Sequence, residues 1–219
     1  MPAFPPPPGL IPHRLTLDAD TALWRCHRTE HPVTGFNPVA AHPHFGGSRF
    51  DGTADDPFPY LYVAEEPATA LAEVFLRSVE FDPLANARLI PRAQAARYSL
   101  SRLTTSAPLE LVALVTEEDL AAVFQDSWLL ETEGAGYAQT RHWAQALRRD
   151  ADWAQGMVWQ SRRHRPRLAY VLFGDRRSEA ALKADPEYSF DLGTEAGRRE
   201  ANRLLAGLRA AIAPPEAPL

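Results

Sequence analysis

The stretch YLYVAEEPATALAEV, residues 60–74, places a strand pattern directly before a helix pattern. Residues 60–64 are aromatic, aliphatic or β-branched, which predicts a short strand. The proline at position 67 follows two acidic residues, and this is typical of a helix start, where the first N–H needs no partner and carboxylates meet the positive end of the dipole. We therefore expect a helix over about residues 67–79. Glu73 lies off its buried stripe, among small apolar side chains, and is a candidate functional carboxylate.

The chain before this stretch predicts one strand and a long loop region. Residues 23–28 alternate apolar and polar side chains, as a half-buried strand does, so Arg25 and His27 share one face. Residues 29–59 are rich in Pro, Gly, Asn and Asp, which favours loops. Loops of that length in a compact domain are usually functional or disordered, and we expect this region to form part of a site.

The chain after this stretch mixes strand and helix patterns irregularly. Strands are predicted at 97–100, 109–115, 156–160 and 168–173, and helices at 117–124, 137–150 and 195–212. Because no strand–helix–strand unit repeats, we predict a single mixed α+β domain rather than a doubly wound sheet. That domain is expected over residues 13–212, between proline-rich tails at 1–12 and 213–219.

Composition argues against several classes of protein. The 219 residues are 45% hydrophobic, enough for a core, and carry a formal net charge of -5, which argues against a broad nucleic-acid-binding surface. The single cysteine, Cys26, allows no internal disulfide, and neither a signal peptide nor a membrane-spanning segment is recognisable. We expect a soluble, cytoplasmic protein with no membrane partner and no direct nucleic-acid partner.

Three familiar site motifs are incomplete in this chain. His42 and His44 flank a proline and lack a third ligand, so no metal is expected. The pair Gly46-Gly47 lacks the third glycine and the strand-to-helix setting of a dinucleotide fingerprint. No serine, Ser161 included, lies in the Gly-x-Ser-x-Gly elbow of a hydrolase. These motifs therefore do not define the site.

Three segments stand out together: GGSRF at 46–50, the stretch at 60–74, and GMVWQSR at 156–162. In that order and spacing they resemble the RES domain, a family named for an arginine, a glutamate and a serine, which correspond here to Arg49, Glu73 and Ser161. The resemblance covers about residues 22–175. The other matching elements are Trp24-Arg25, Gly47–Asp51, Tyr62–Ala64, Ala70–Glu73 and Trp159–Arg162.

The sequence departs from the family pattern in two places. Phe50 and Asp51 replace the more usual Trp-Asn, which bears on base stacking and hydrogen bonding by that pair but leaves the arginine. The loop over residues 50–59 is longer than the family pattern, so Tyr60 competes with Tyr62 for the tyrosine position. We prefer Tyr62, because its strand leads directly into the predicted helix.

The resemblance implies an ADP-ribosyltransferase-like fold and a toxin that depletes NAD by cleaving the nicotinamide–ribose bond. NAD would be the substrate, with no further cofactor. Transfer to water would make the enzyme a glycohydrolase and transfer to phosphate a phosphorolase; ADP-ribosyl transfer to a protein is a close variant, and a catalytically silent partner-binding module is the alternative from another class. The family's usual partner is an antitoxin with a helix-turn-helix domain. No such segment is recognisable here, so the antitoxin would be a separate protein, and a homodimer also stays open.

The resemblance also assigns roles to individual side chains. Glu73 would stabilise the oxocarbenium-like state or grip a ribose hydroxyl, since breaking this bond builds positive charge on the ribose. Arg25 and Arg49 would bind the pyrophosphate through planar, forked guanidinium groups. Tyr62 would stack on nicotinamide or bond to a ribose. Ser161 would orient Glu73 or a ribose hydroxyl rather than act as a nucleophile.

Each of these residues also has a structural interpretation. Alone, Glu73 is more often a solvated or salt-bridged side chain, and Tyr62 a core aromatic. The two arginines could pair with nearby acids: Asp18, Asp51 or Asp55. Ser161 could simply end a strand, and the basic run at 162–165 is usually a solvated turn, although such a run could bind phosphate.

Overall fold

The computed structural model of the protein describes residues 5–42, 44–176 and 181–213. Residues 1–4 and 214–219, which belong to the predicted tails, lie outside the described residues. In the described part of the N-terminal tail, Leu10 is buried and its N–H donates to Asp150 Oδ2 at 2.8 Å. That contact fastens this segment to the folded domain.

The described residues form ten strands and six α-helices. The strands are β1 Arg14–Leu17, β2 Ala22–Arg28, β3 Tyr60–Ala64, β4 Arg88–Ile90, β5 Tyr98–Thr105, β6 Leu109–Leu114, β7 Gly156–Gln160, β8 Leu168–Phe173, β9 Leu182–Asp191 and β10 Ala210–Ile212. The helices are α1 Pro67–Phe75, α2 Arg92–Ala95, α3 Glu117–Ala122, α4 Trp128–Glu131, α5 Tyr137–Asp150 and α6 Glu195–Leu205.

Eight of the strands form one sheet in the order β1-β6-β7-β8-β3-β2-β5-β9, and β4 and β10 pair separately in parallel. Neighbours in the large sheet are antiparallel except β6 and β7. One core cluster joins α3 and α5 to β6, β7 and β8, and a second joins α1 and α6 to β5. Strands and helices are thus mixed around a single sheet, which confirms the predicted α+β class.

The sheet splits between β2 and β3, and this split positions the site. β2 pairs with β5 at seven positions, and β3 pairs with β8 at five. Between β2 and β3, however, the register holds at one position only, Trp24 with Ala64. The connection over residues 29–59 leaves from this opening and contains no helix or strand in its described residues, as the sequence predicts. The two strands therefore diverge and leave a gap in the middle of the sheet.

Three predicted helices end earlier in the structure than the sequence indicates, and one of them, expected over residues 117–124, ends at Ala122. The helix expected over residues 67–79 ends at Phe75, and the side chain of Arg77 donates to the carbonyl of Glu73 at 2.6 Å. A side chain at position 77 thus satisfies a carbonyl that a longer helix would have bonded through its backbone. The helix expected over 195–212 ends at Leu205.

The last part of that helix forms a strand instead. Arg209 adopts a left-handed conformation with φ of 48°, and Ala210–Ile212 pairs in parallel with β4. The Asn202 side chain accepts from the Ile212 N–H at 2.7 Å. The apolar residues that look like a helical stripe are buried or partly buried in the observed structure too, so periodicity alone could not distinguish the two outcomes.

Sequence patterns miss the short elements and the edge strand β9. β1, β4, α2 and α4 are each three or four residues long, too short for a period to register. β9 carries Lys, Asp, Glu and Pro, and it pairs only with β5, with an irregular register near Ser101. Charged residues, proline and bulges are how edge strands avoid further pairing, and they also erase the alternation that predicts a strand. No helix among the described residues has the length and apolar character needed to cross a bilayer.

Candidate active site

A cleft of about 980 Å³ lies where β2 and β3 diverge. Its walls come from those two strands, from parts of the 29–59 loop region and from α1, so the loop region does contribute to the cavity that the sequence places near it. The lining side chains that matter most here are Trp24, Arg25, Tyr60, Tyr62, Glu73 and Arg77. Its size falls at the upper end of the range for small-molecule and cofactor sites.

The structure brings Glu73 and Ser161 together. The Ser161 hydroxyl donates to Glu73 Oε1 at 2.6 Å, and Ser161 is fully buried. Ser161 Oγ also lies within reach of the N–H groups of Arg163, at 3.3 Å, and His164, at 3.2 Å. Because these two groups can only donate, the hydroxyl proton is directed at Glu73. Within the described ranges, the other oxygen of Glu73, Oε2, has no hydrogen-bond or ion-pair partner.

The topology of the sheet explains why residues so far apart in sequence meet. Glu73 lies on α1, which directly follows β3, and Ser161 directly follows β7. β3 and β7 are the two neighbours of β8, so the chain segments that leave them lie near each other. A second hydrogen bond, between Thr69 Oγ1 on α1 and His164 Nδ1 at 2.9 Å, ties the helix to the same turn. The carboxylate is therefore held from its own helix and from the neighbouring strand end.

Tyr62 is joined to the loop that precedes its strand. Its hydroxyl donates to Asp51 Oδ1 at 2.8 Å and accepts the Phe50 N–H at 3.0 Å. The second Asp51 oxygen accepts the Ser48 N–H at 2.6 Å. Burial, and then the charge of Asp51, raise the pKa of Tyr62 well above its ordinary value, so the hydroxyl stays neutral and keeps donating.

Tyr60 and Phe50 take positions that separate them from Tyr62. Tyr60 lines the cleft, and its hydroxyl accepts from Asn37 at 2.8 Å. Burial raises its pKa too. Phe50 is fully buried and packs edge-to-face on Trp159 at 5.2 Å between ring centroids, so it is not placed to stack on a base in the cleft. Only Tyr62 of the two tyrosines also borders the smaller pocket beside Glu73.

Arg49 is nearly buried beside the same pocket. Its Nη1 donates to the Leu129 carbonyl at 2.8 Å, and its guanidinium carbon lies 5.3 Å from the centroid of the Tyr137 ring. Burial lowers the pKa of Arg49, while Tyr137 and Glu73 oppose that shift. Arg49 therefore interacts electrostatically with Glu73, while one of its guanidinium nitrogens is already hydrogen-bonded to the protein backbone.

Arg25 lines the cleft but is engaged with the loop that follows β2. Its Nη1 lies within hydrogen-bond distance of three carbonyls, those of Pro32 at 3.1 Å, Val33 at 2.7 Å and Gly35 at 2.8 Å. Burial lowers its pKa to about 10, so it stays charged at neutral pH. Neither predicted arginine forms an ion pair with Asp18, Asp51 or Asp55 in the described residues. The alternative interpretation, in which these arginines simply pair with one of those aspartates, is therefore wrong.

Arg77 is a residue near the site that sequence reasoning misses. A small pocket beside the cleft shares four lining residues with it: Tyr62, Glu73, Arg77 and Trp159. Arg77 borders both cavities, and its Nη1 donates to Ser48 Oγ at 3.2 Å. The only sequence signal is its position four residues after Glu73, which places two side chains on one face of a helix. That spacing is too common to single out a residue.

No group of three or more His, Cys, Asp or Glu side chains that could hold a metal ion occurs in the part of the chain that the structure describes. The rings of His42 and His44 lie 6.0 Å apart between centroids. Cys26, His27, His31 and Asp51 also line the cleft, and its remaining titratable side chains are Glu73 with a set of tyrosines and arginines. This set suits a substrate with phosphates, riboses and flat rings.

Fold and site together define the chain as an α+β protein whose split sheet holds a carboxylate, oriented by a buried serine, at the edge of an arginine-lined cleft. The family model described as RES domain matches residues 22–193. Because that match covers most of the chain, the protein belongs to the RES-domain family. The predicted family is thereby confirmed.

Comparison with solved structures places the fold beside a known one. Thirteen chains match, among them a chain from the crystal structure of the M. tuberculosis MbcT-MbcA toxin-antitoxin complex, with a TM-score of 0.56. That match covers 85% of this chain and 91% of the other at 15% sequence identity. At so low an identity it shows only that the two chains share a fold. Among curated proteins, no relative matches this chain in sequence.

Proposed function

We propose that this protein is an NAD-degrading enzyme that cleaves the bond between nicotinamide and ribose, and that it is the toxin of a toxin–antitoxin pair. Two findings support the proposal: membership of the RES-domain family, and a fold shared with a chain of a toxin–antitoxin complex. NAD is the substrate in this proposal, and no metal or further cofactor takes part.

The observation that carries the proposal is the state of Glu73. One carboxylate oxygen is held by a buried serine hydroxyl, while the other has no partner among the described residues and the side chain borders both cavities. Fixing one oxygen by a neutral donor orients the carboxylate without cancelling its charge. A charge held in place beforehand stabilises a positive transition state without reorganising as it forms.

The chemistry of the bond explains why one oriented carboxylate is enough. The nicotinamide nitrogen of NAD is formally positive, and when the C–N bond breaks the electron pair leaves with nicotinamide, which departs neutral. No general acid is needed for the leaving group. The positive charge moves to the ribose ring, where the transition state resembles an oxocarbenium ion. Glu73 would stabilise that charge, or bind a ribose hydroxyl more strongly as the charge develops.

The remaining predicted residues surround that centre. Tyr62 offers an aromatic wall and Arg49 a buried positive charge beside the small pocket, and Arg25 lies along β2 in the cleft. We assign Ser161 to orientation of Glu73, since its proton is already directed there. Water, phosphate or a protein side chain would then supply the oxygen or other atom that bonds to the ribose carbon.

The test is NAD loss and nicotinamide release by the purified protein, with and without inorganic phosphate. Product analysis names the acceptor: ADP-ribose for water, its phosphate ester for phosphate, and a modified protein for side-chain transfer. In Glu73→Gln, which keeps the shape and removes the charge, we expect a rate at least about a hundredfold lower, roughly 2.7 kcal/mol of barrier, with an unchanged circular dichroism spectrum.

Two results would count against this assignment. If Glu73→Gln consumes NAD as fast as the parent, Glu73 has no catalytic role. If the folded parent neither binds nor consumes NAD, the enzyme proposal fails and a silent partner-binding module replaces it.

The partner proposed for the toxin is a separate antitoxin protein with a helix-turn-helix domain. The support is that the matching crystal structure is a complex of a toxin with an antitoxin. Co-expression with the product of an adjacent reading frame, followed by size-exclusion chromatography, tests it and also reveals a homodimer of this chain if one forms.

A further inference from the structure

The arginines around Glu73 differ in what their nitrogens already hold. Nη1 of Arg25 lies within hydrogen-bond distance of three loop carbonyls, and Nη1 of Arg49 donates to the Leu129 carbonyl. In the basic run that follows Ser161, Arg162 and Arg163 both pair with the carboxylate of Glu133. These four side chains are therefore engaged, in whole or in part, in holding the structure together or in balancing a negative charge.

Arg77 differs from Arg162 and Arg163 in having no ion pair among the described residues, and from Arg25 and Arg49 in lining both cavities. Its Nε donates to the Glu73 carbonyl at 2.6 Å and its Nη1 to Ser48 Oγ at 3.2 Å. Among the described residues no carboxylate forms an ion pair with Arg77, and no hydrogen bond uses its Nη2. The side chain is half-buried and lines both cavities. Its position is fixed by two hydrogen bonds, yet its charge is not balanced by a direct partner.

We infer that Arg77 binds the phosphates of the dinucleotide substrate, an inference that rests on the proposed function. A guanidinium group binds phosphate oxygens through a planar fork of N–H donors, and a charge without a direct partner in a half-buried site is the better ligand for an anion. The phosphate and the reacting carbon of the nicotinamide nucleotide are joined through one ribose. A side chain that binds this phosphate must therefore lie close to the carboxylate that acts on the reacting carbon. Arg77 meets this condition, because it donates a hydrogen bond to the backbone carbonyl of Glu73.

A purely structural role for Arg77 makes a different prediction. If its task were only to bind the Glu73 carbonyl and the Ser48 hydroxyl, its loss would disturb Glu73 for every substrate equally. If it binds phosphate, its loss weakens only ligands that carry phosphate. Comparing ligands that differ only in their phosphates distinguishes the two roles.

The first experiment measures binding of ADP and of adenosine by isothermal titration calorimetry, with no turnover involved. We expect Arg77→Gln, whose amide can still donate to the Glu73 carbonyl, to weaken ADP binding at least about tenfold and to leave adenosine binding unchanged. Arg77→Lys, which keeps the charge but loses the fork, should lie between. Arg203→Gln is the matched control, because Arg203 is exposed on α6, pairs with Glu200 and lines neither cavity.

Three outcomes overturn the inference: no ADP binding by the parent, unchanged ADP binding in Arg77→Gln, or equal weakening of ADP and adenosine. The result stays separate from the proposed function. A parent that binds ADP but leaves NAD intact refutes the enzyme proposal while the Arg77 comparison still gives its answer.

Turnover provides the second readout. Nicotinamide riboside contains the same scissile bond as NAD but no phosphate. We expect Arg77→Gln to raise KM for NAD at least about tenfold while kcat/KM for nicotinamide riboside stays within about twofold of the parent. An equal fall in kcat/KM for NAD and for nicotinamide riboside would mean that Arg77 acts only by positioning Glu73, and would overturn the inference.

Discussion

The site contains two hydrogen bonds of the same chemical kind, Ser161 to Glu73 at 2.6 Å and Tyr62 to Asp51 at 2.8 Å. In each, a hydroxyl donates to a carboxylate. The carboxylates differ in their second oxygen: that of Asp51 accepts the Ser48 N–H, whereas that of Glu73 has no partner among the described residues. Asp51 is 2% exposed, and Glu73 borders two cavities. The unfilled oxygen, not the residue type, marks the carboxylate that is free to act on a substrate.

The Tyr62–Asp51 pair fixes the path of the loop that carries Arg49. Asp51 receives donors from β3 and from the loop backbone, and the Tyr62 hydroxyl in turn receives the Phe50 N–H. Gly47, with φ of 71°, lies at the start of this loop, where an added Cβ would come within 2.9 Å of Ala41 Cβ. Both oxygens of Asp51 and the Tyr62 hydroxyl thus have partners within this corner, which is the pattern of a structural network.

Asp51→Asn should therefore reduce the stability of the protein. An amide presents one donor group where the carboxylate accepted two hydrogen bonds, so one N–H or O–H is left facing another donor. We expect the free energy of unfolding to fall by about 1–3 kcal/mol, read from urea denaturation. Asp55→Asn is the control, because Asp55 is an exposed acid on the same loop. Equal stability of the two variants would show that the Tyr62–Asp51 pair does not hold the loop.

Ser161→Ala tests the other pair and should have a smaller effect on the reaction than loss of the Glu73 charge. The carboxylate stays but loses its orienting donor, so we expect kcat for NAD to fall about tenfold, roughly 1.4 kcal/mol, with KM nearly constant. Because Ser161 acts through Glu73, the two changes should not add: in a Glu73→Gln background, Ser161→Ala should lower the residual rate by less than about twofold.

Additive losses would mean that Ser161 touches the substrate on its own, as the alternative role at a ribose hydroxyl requires. The variant also leaves the N–H groups of Arg163 and His164 without their contact to Oγ. Melting curves of the single and double variants are therefore needed to separate a local loss of structure from a catalytic effect.

Local patterns predicted the elements next to the site well. The strands at 60–64, 156–160 and 168–173 and the helix at 137–150 have the predicted bounds, since each is a run of one period with clear ends. The end of α1 could not be predicted, because it depends on a bond from the Arg77 side chain to a backbone carbonyl. The terminal strand β10 depends likewise on pairing with distant β4.

The candidate site was only partly predictable, for a related reason. The family pattern identifies Glu73 and Ser161 without knowledge of their contact, but the roles of individual cations require the path of the backbone. Arg25 was predicted as a phosphate ligand, and its contacts with three carbonyls follow from a loop conformation that no local pattern encodes. Arg77 carries no sequence signal beyond a common spacing. A resemblance names the residue types that chemistry needs, whereas the partners they already have are set by tertiary structure.

The smallest expected effect concerns a third hydroxyl contact, at the wall of the cleft formed by β2. His27 Nδ1 lies 3.0 Å from the Arg28 carbonyl, which can only accept, so Nδ1 carries the proton and Nε2 accepts from the Ser101 hydroxyl at 3.0 Å. Burial lowers the pKa of His27, and the nearby charge of Arg25 lowers it further, against a backbone contact that raises it. Like Asp51, this group is satisfied within the protein and should report on stability.

The sign of its pH dependence follows from linkage. Below its ordinary pKa of about 6.5, His27 is protonated in the unfolded chain but stays neutral in the fold, where its pKa is lower. As pH falls from about 6.5 toward the lower pKa of the folded state, His27 therefore reduces the free energy of unfolding by a growing amount. Urea midpoints between pH 5 and pH 8 should fall less steeply on the acid side in His27→Gln than in the parent. His31→Gln, at an exposed histidine on the following turn, should keep the parent's slope. An identical slope in all three proteins would show that His27 is protonated as readily in the fold as in the unfolded chain, and that this wall of the cleft is open to water.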